Sequence, residues 1–266
     1  MKTKITLLAA IFTFTSFIAF SQKTIKAEDI IKDIKAGKDV SISNATIEGA
    51  LDFTYMEEKL EKLPVRKKKR RWWNGNNGDN KIENTIEVNV SFSNCTFKDD
   101  VLAYIPDSED SGYTFVAHFE NKAIFKNCVF ERKAMFKYTE FENDSSFENA
   151  DFQDDTTFKY AEFSTSSDFT NTTFENEAIF KYTEFSNFVS FANSTFKESA
   201  TFKYTKFRDG VSFKDVQFEE NLNIKYTEVR GTFDISGMKV AFDIDSKYTS
   251  INGKKFSKYL LNSKND

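Results

Sequence analysis

The chain has few of the residues that punctuate ordinary globular folds. Its 266 residues include two prolines, nine glycines, two cysteines, two tryptophans and one histidine. The single histidine, His118, and the thiols Cys95 and Cys128 do not supply a three-ligand zinc constellation. No glycine-rich phosphate loop and no serine-centred nucleophile elbow occur. The sequence therefore offers little support for catalysis, and a non-enzymatic protein without a cofactor is expected. An excess of one charge is missing as well. Lys and Arg number 37 against 41 Asp and Glu, for a formal charge of −4. So mixed a balance makes no global case for nucleic acid, and no specific nucleic-acid partner is expected.

Only one long apolar run is present. Ile5 to Phe20 is interrupted by nothing but Thr and Ser, follows Lys2 and Lys4, and ends in Ala19-Phe20-Ser21. This pattern predicts a signal peptide over residues 1–21, cleaved before Gln22, and a periplasmic or extracellular mature chain. The alternative is a membrane anchor. The run is short for a span of ~20 residues, and a charged segment follows at once.

What the chain has in abundance is phenylalanine, 31 residues of it. From Phe125 to Phe218 the spacing alternates 5, 6, 5, 6 without a miss, and Ile224, Val229, Ile235 and Val240 continue the series. One large side chain in every fifth or sixth place is too sparse for a helical stripe. Two places before each Phe stands a small or β-branched residue, such as Ala123, Cys128, Ala134 and Thr139. In a short strand, residues i−2 and i share a face. Each unit thus points one small and one large residue inward and then turns.

A longer period lies inside this one. Lys-Tyr pairs recur at every fourth unit, at Lys137-Tyr138, Lys159-Tyr160, Lys181-Tyr182, Lys203-Tyr204, Lys225-Tyr226 and Lys247-Tyr248. The units midway between them carry Asn127, Asn149, Asn171 and Asn193, then Asp215. A coil of about 22 residues with four faces accounts for both columns. Units such as Ala178-Ile179-Phe180 and Asn193-Ser194-Thr195-Phe196 resemble the pentapeptide-repeat family, in its Phe-centred, 11-residue-phased branch. The resemblance spans about residues 40–251 and implies an all-β fold, a right-handed four-sided parallel β-helix. In the family a coil has roughly 20 residues. Two sides of each coil here have one residue more, which should widen two corners. The resemblance further implies a secreted member of a binding or scaffold type. An alternative is the family's topoisomerase-binding, DNA-mimicking type, which the signal peptide and the lysine columns oppose.

The register traces upstream through Val40-Ser41-Ile42, Ala45-Thr46-Ile47 and Leu51-Asp52-Phe53, and again from Val90-Ser91-Phe92. About eight coils result, interrupted by insertions at about 57–85 and 104–114. Both leave the same corner, and they contain both prolines, Pro64 and Pro106. Solenoid ends need caps. A short helix within residues 22–39, with Ile30, Ile31 and Ile34 on one side, is expected at the first end. Residues 252–266, with Phe256, Tyr259, Leu260 and Leu261, are expected to cap the other end or to form a homodimer contact.

The first insertion carries Arg66, Lys67, Lys68, Lys69, Arg70 and Arg71, followed by Trp72 and Trp73. Six cations before two aromatics suit an anionic polymer or glycan, or an envelope protein. Alternatively the loop is clamped to the acidic second insertion, with Asp107, Glu109 and Asp110. The ladder of Tyr138, Tyr160, Tyr182, Tyr204 and Tyr226 either meets a ligand such as a glycan or only braces the wide corner and stacks on itself, with the lysines balanced by Glu140, Glu162, Glu184 and Glu228. Cys95 and Cys128 take the same inward position in adjacent coils. They either form a disulfide or stack as small apolar residues.

Overall fold

The structure is a computed structural model that describes residues 23–63, 80–106 and 113–257. Because each unit turns one large residue inward, the chain builds four parallel sheets around a common core. In the third coil, face one carries Phe125, face two Phe130, face three Phe136 and face four Phe141. Face one has eight strands, face two nine, face three eight and face four ten. Each strand pairs with its equivalent in the next coil, as in Glu140↔Glu162, Phe141↔Phe163 and Ala134↔Thr156. The chain is a four-sided parallel β-helix of eight coils.

The Phe residues fill the interior. Phe125, Phe136, Phe147, Phe158, Phe169 and Phe180 are fully buried. Rings of one face stack on those of the next coil, with Phe136–Phe158 at 5.1 Å and 8° and Phe158–Phe180 at 5.0 Å and 8°. Rings of adjacent faces meet edge-on, as in Phe147–Phe158 at 75°. Offset stacks and edge contacts both suit the aromatic quadrupole.

The turns come from left-handed residues. Asn127, Asn149, Asn171 and Asn193 have φ of 53 to 59°, and Tyr138, Tyr160, Tyr182, Tyr204 and Tyr226 have φ of 60 to 62°. Both columns lie in the five-residue steps. The six-residue steps, such as Phe130 to Phe136, turn without a left-handed residue other than glycine, which occurs there at Gly49, Gly210 and Gly231. The tyrosines therefore stand at the tight steps of the coil and not at the expected wide corners, because the extra residue lies in the other two steps. The asparagines link coil to coil, Asn149 Nδ2 donating to Asn127 Oδ1 at 2.8 Å and Asn171 Nδ2 to Asn149 Oδ1 at 2.9 Å.

At the first end, a strand Lys23–Lys26 pairs in parallel with Ala45–Glu48, and helix α1 (Ala27–Lys35) follows. Ala27, Ile30 and Ile34 of α1 are buried over the first coil, whereas Ile31 is only partly buried against it. The sequence pattern points to the helix and misses the strand before it. At the other end the chain reverses, Lys254–Lys255 pairing antiparallel with Ser250–Ile251. Phe256 then lies buried 6.0 Å from Phe233. Residues 1–21, with the expected signal peptide, and Tyr259, Leu260 and Leu261 lie outside the described residues.

Candidate functional site

Face three and the corner after it hold the most regular surface on the molecule. The strands of this face present a first outward residue, then the inward Phe, then a lysine and the left-handed tyrosine. The first outward row reads Leu102, Met135, Thr157, Ile179, Thr201 and Asn223, in unbroken register. Asp52 precedes Leu102 and Asp245 follows Asn223, so the row is free of acids only between those two ends. The second row is Lys137, Lys159, Lys181, Lys203, Lys225 and Lys247, one rung apart.

The tyrosines form one continuous stack. Ring centroids from Tyr138 through Tyr248 are separated by 4.9, 4.7, 4.7, 4.6 and 4.8 Å, with planes within 15° of parallel. Each tyrosine amide donates to the lysine carbonyl of the next coil, as Tyr160 N does to Lys181 O at 3.0 Å. Backbone register thus fixes the ladder. Inner rings have both faces covered by their neighbours, so a ligand meets their edges. Tyr248 ends the stack and is 64% exposed.

Each lysine ammonium lies against its own tyrosine, at 4.8 Å for Lys137, 5.3 Å for Lys159 and 5.1 Å for Lys181 from the ring centroid. Lys137 also donates to the Tyr104 hydroxyl at 3.1 Å. Among the described residues, none of the six is in an ion pair with a carboxylate. The expected balance by the face-four glutamates does not occur at ion-pair distance. Glu184 is instead held by Arg208 at 2.7 Å and by Lys206 at 3.1 Å, and Glu228 by Arg230 at 2.8 Å. Arg208, then Lys206, hold the Glu184 carboxyl below its usual range. Glu140 lies 3.9 Å from His118, whose Nδ1 accepts from the Glu140 amide.

Other surfaces pair their charges across rungs. Lys122 meets Asp144 at 3.0 Å, Lys126 meets Glu148 at 2.8 Å, and Lys197 meets Glu175 at 2.7 Å. The corner lysines repel one another instead. Burial, followed by the charges of Lys137 and Lys181, lowers the Lys159 pKa from its ordinary value. This is a column of like charge held at close spacing by a rigid frame.

The two insertions are rooted at the head of this column. The first leaves after Tyr55, through the short helix α2 (Met56–Leu60), and rejoins at Lys81–Ile86 of face four. The second leaves after Tyr104–Ile105 and returns as Thr114–Phe119. The two returning strands pair in parallel from Lys81↔Thr114 to Ile86↔Phe119. They extend face four outward beside the ladder. An open cleft of about 310 Å³ lies there, lined by Asn80, Lys81, Thr114 and Tyr138. The sequence marks the insertions but carries no sign of this paired extension. Arg66, Lys67, Lys68, Lys69, Arg70, Arg71, Trp72 and Trp73 lie outside the described residues, between Leu63 and Asn80. So do Asp107, Glu109 and Asp110.

Cys95 and Cys128 are free, buried thiols on consecutive rungs. Their sulfurs donate to Ser93 O and Lys126 O, both at 3.4 Å. The contact with Cys95, and then burial, push the Cys128 thiol up.

Residues 117–162, 136–184, 158–205 and 180–228 match the family described as pentapeptide repeats (9 copies), in four overlapping stretches. Over these residues the chain is a pentapeptide-repeat protein. Its coils continue beyond the matched region, to Val40 on one side and Ile251 on the other. No curated protein and no solved structure matches it. The functional surface of this pentapeptide-repeat protein therefore has to be argued from its own residues.

Proposed function

We propose that the protein is a non-enzymatic binding solenoid of the cell envelope, exported by its N-terminal segment, and that it holds a linear anionic polymer along the lysine–tyrosine corner. The observation that carries this reading is the column of lysines on consecutive rungs without a carboxylate partner, beside surfaces whose charges pair. A fold that can place a glutamate beside each lysine, as it does at Lys126 and Glu148, leaves this one column open. An exposed ion pair contributes only ~0.2–1 kcal/mol. Several in line along one polymer reach a useful affinity together. The basic, Trp-bearing segment supports the same reading, since it is rooted at the head of the column.

Two measurements test it. Binding of the mature protein to polyanions should weaken steeply with salt, with a log–log slope of roughly −3 to −5 for five or six neutralised charges. A slope near zero rejects an electrostatic column. Cell fractionation should find the protein outside the cytoplasm, and a cytoplasmic location rejects the envelope role.

A further inference from the structure

We infer that the polymer is a polyuronate, a glycan with a carboxylate on every sugar, lying extended along the solenoid axis with one sugar per rung. This rests on the lysine–tyrosine corner being the binding surface proposed above.

Spacing comes first. Strand register puts successive lysines one rung apart, about 4.8 Å. That repeat is close to the advance per sugar of an extended 1,4-linked glycan, so a carboxylate on every sugar meets a lysine on every rung. A duplex phosphate backbone advances ~3.4 Å per strand charge and falls out of step within a few rungs.

The chemistry beside the lysines agrees. Met135, Thr157, Ile179 and Thr201 place methyl groups and hydroxyls in register with the first four lysines, although Thr157 is largely buried, and Asn223 and Asp245 stand beside the last two. A pyranose presents C–H groups on its ring face and hydroxyls at its rim, and such a row can meet both. On the other side the stack presents tyrosine edges, suited to hydrogen-bonding sugar hydroxyls. The same stack disfavours single-stranded nucleic acid. Its bases need aromatic faces to stack on, and the inner rings have their faces covered at 4.6–4.9 Å.

The test is calorimetric titration of the full mature protein with size-graded oligomannuronates, with hyaluronan oligomers (a carboxylate on alternate sugars), with oligothymidylate and with neutral cello-oligosaccharides. The affinity for oligomannuronate should grow with each added sugar up to about six, the number of lysine rungs, and then level off. At matched length, hyaluronan should bind several-fold more weakly, and cello-oligosaccharides should not bind measurably. The triple variant Lys159→Gln, Lys181→Gln, Lys203→Gln should lose about tenfold in affinity. Its thermal unfolding should match the wild type, which shows the loss to be one of binding. If hyaluronan or oligothymidylate binds as well as oligomannuronate at matched charge, and the triple variant weakens all of them, the one-sugar-per-rung inference is wrong and the corner reading survives. If no polyanion binds, or the triple variant binds like wild type, the corner reading falls and the inference with it.

Discussion

A tyrosine with positive φ is a costly choice. The left-handed region costs an ordinary residue about 1–2 kcal/mol, and asparagine tolerates it better because its side chain bonds locally. Coils one and three to six use asparagine at one tight step and tyrosine at the other, with φ near 60° at both, and coils seven and eight put Asp215 and Gly237 in the asparagine place. Stacking returns ~0.5–1.5 kcal/mol per aromatic pair, which roughly offsets the backbone cost. The inward threonines of the same corner are also held coil to coil. Thr183 Oγ1 donates to Phe158 O at 2.8 Å, Thr205 Oγ1 to Phe180 O at 2.5 Å, and Thr227 Oγ1 to Phe202 O at 2.6 Å. Thr139 is buried with its hydroxyl unpartnered. The equivalent carbonyl, Ala103 O, accepts the Ala117 amide at 2.7 Å, as Phe158 O accepts the Ala161 amide at 2.9 Å, but unlike Phe158 O it accepts no threonine hydroxyl besides. Thr139→Val should therefore stabilise the protein by about 1 kcal/mol, while Thr183→Val should cost about 1 kcal/mol. Denaturant unfolding of the two variants checks the opposite signs, and equal effects would mean that the hydroxyl contacts do not matter.

The coil is the element that carries the information. Its period is written in the sequence twice, in the phenylalanines and in the Lys-Tyr column, so the four faces, the inward threonines and the stacking of equivalents are all legible in the residues alone. The left-handed tyrosines are not: the five residues from Phe136 to Phe141 mark a tight step, but a bulky side chain ordinarily avoids positive φ, so nothing in a Lys-Tyr pair announces that conformation. The first strand, Lys23–Lys26, escapes notice because three of its four residues are polar and it borrows its register from Ala45–Glu48. The paired extension at Lys81–Ile86 and Thr114–Phe119 is hidden for a similar reason, since its partners are joined only through the insertions. The lysines are plain in the sequence. Their lack of acid partners is a three-dimensional fact, because the tyrosines stand between them and the face-four glutamates. If the full four-faced coil is the unit, deleting 161–182 should leave a cooperative solenoid one coil shorter, because Tyr160 then precedes Thr183 in register. Deleting 161–171 should cost several kcal/mol more, because it sets the tyrosine stack over the asparagine column. Thermal unfolding of the two deletions compares them directly, and equal stability would contradict a four-faced unit.

At the scale of the whole molecule, the β-helix is a rigid ruler. Each coil contacts only its neighbours, so a feature repeated on consecutive coils becomes a straight line of known spacing. Other faces pair lysine with glutamate or aspartate across rungs, as at Lys122 and Asp144, Lys126 and Glu148, and Lys197 and Glu175. The line on face three does not, and it begins where both insertions emerge. The proposed polymer track is tested most directly by lysine acetylation footprinting by mass spectrometry, with and without saturating polyanion. Lys137, Lys159, Lys181, Lys203 and Lys225 should be protected together, while Lys122, Lys126 and Lys197, paired on other faces, stay unchanged. Protection spread evenly over all lysines, or confined to another face, would contradict it.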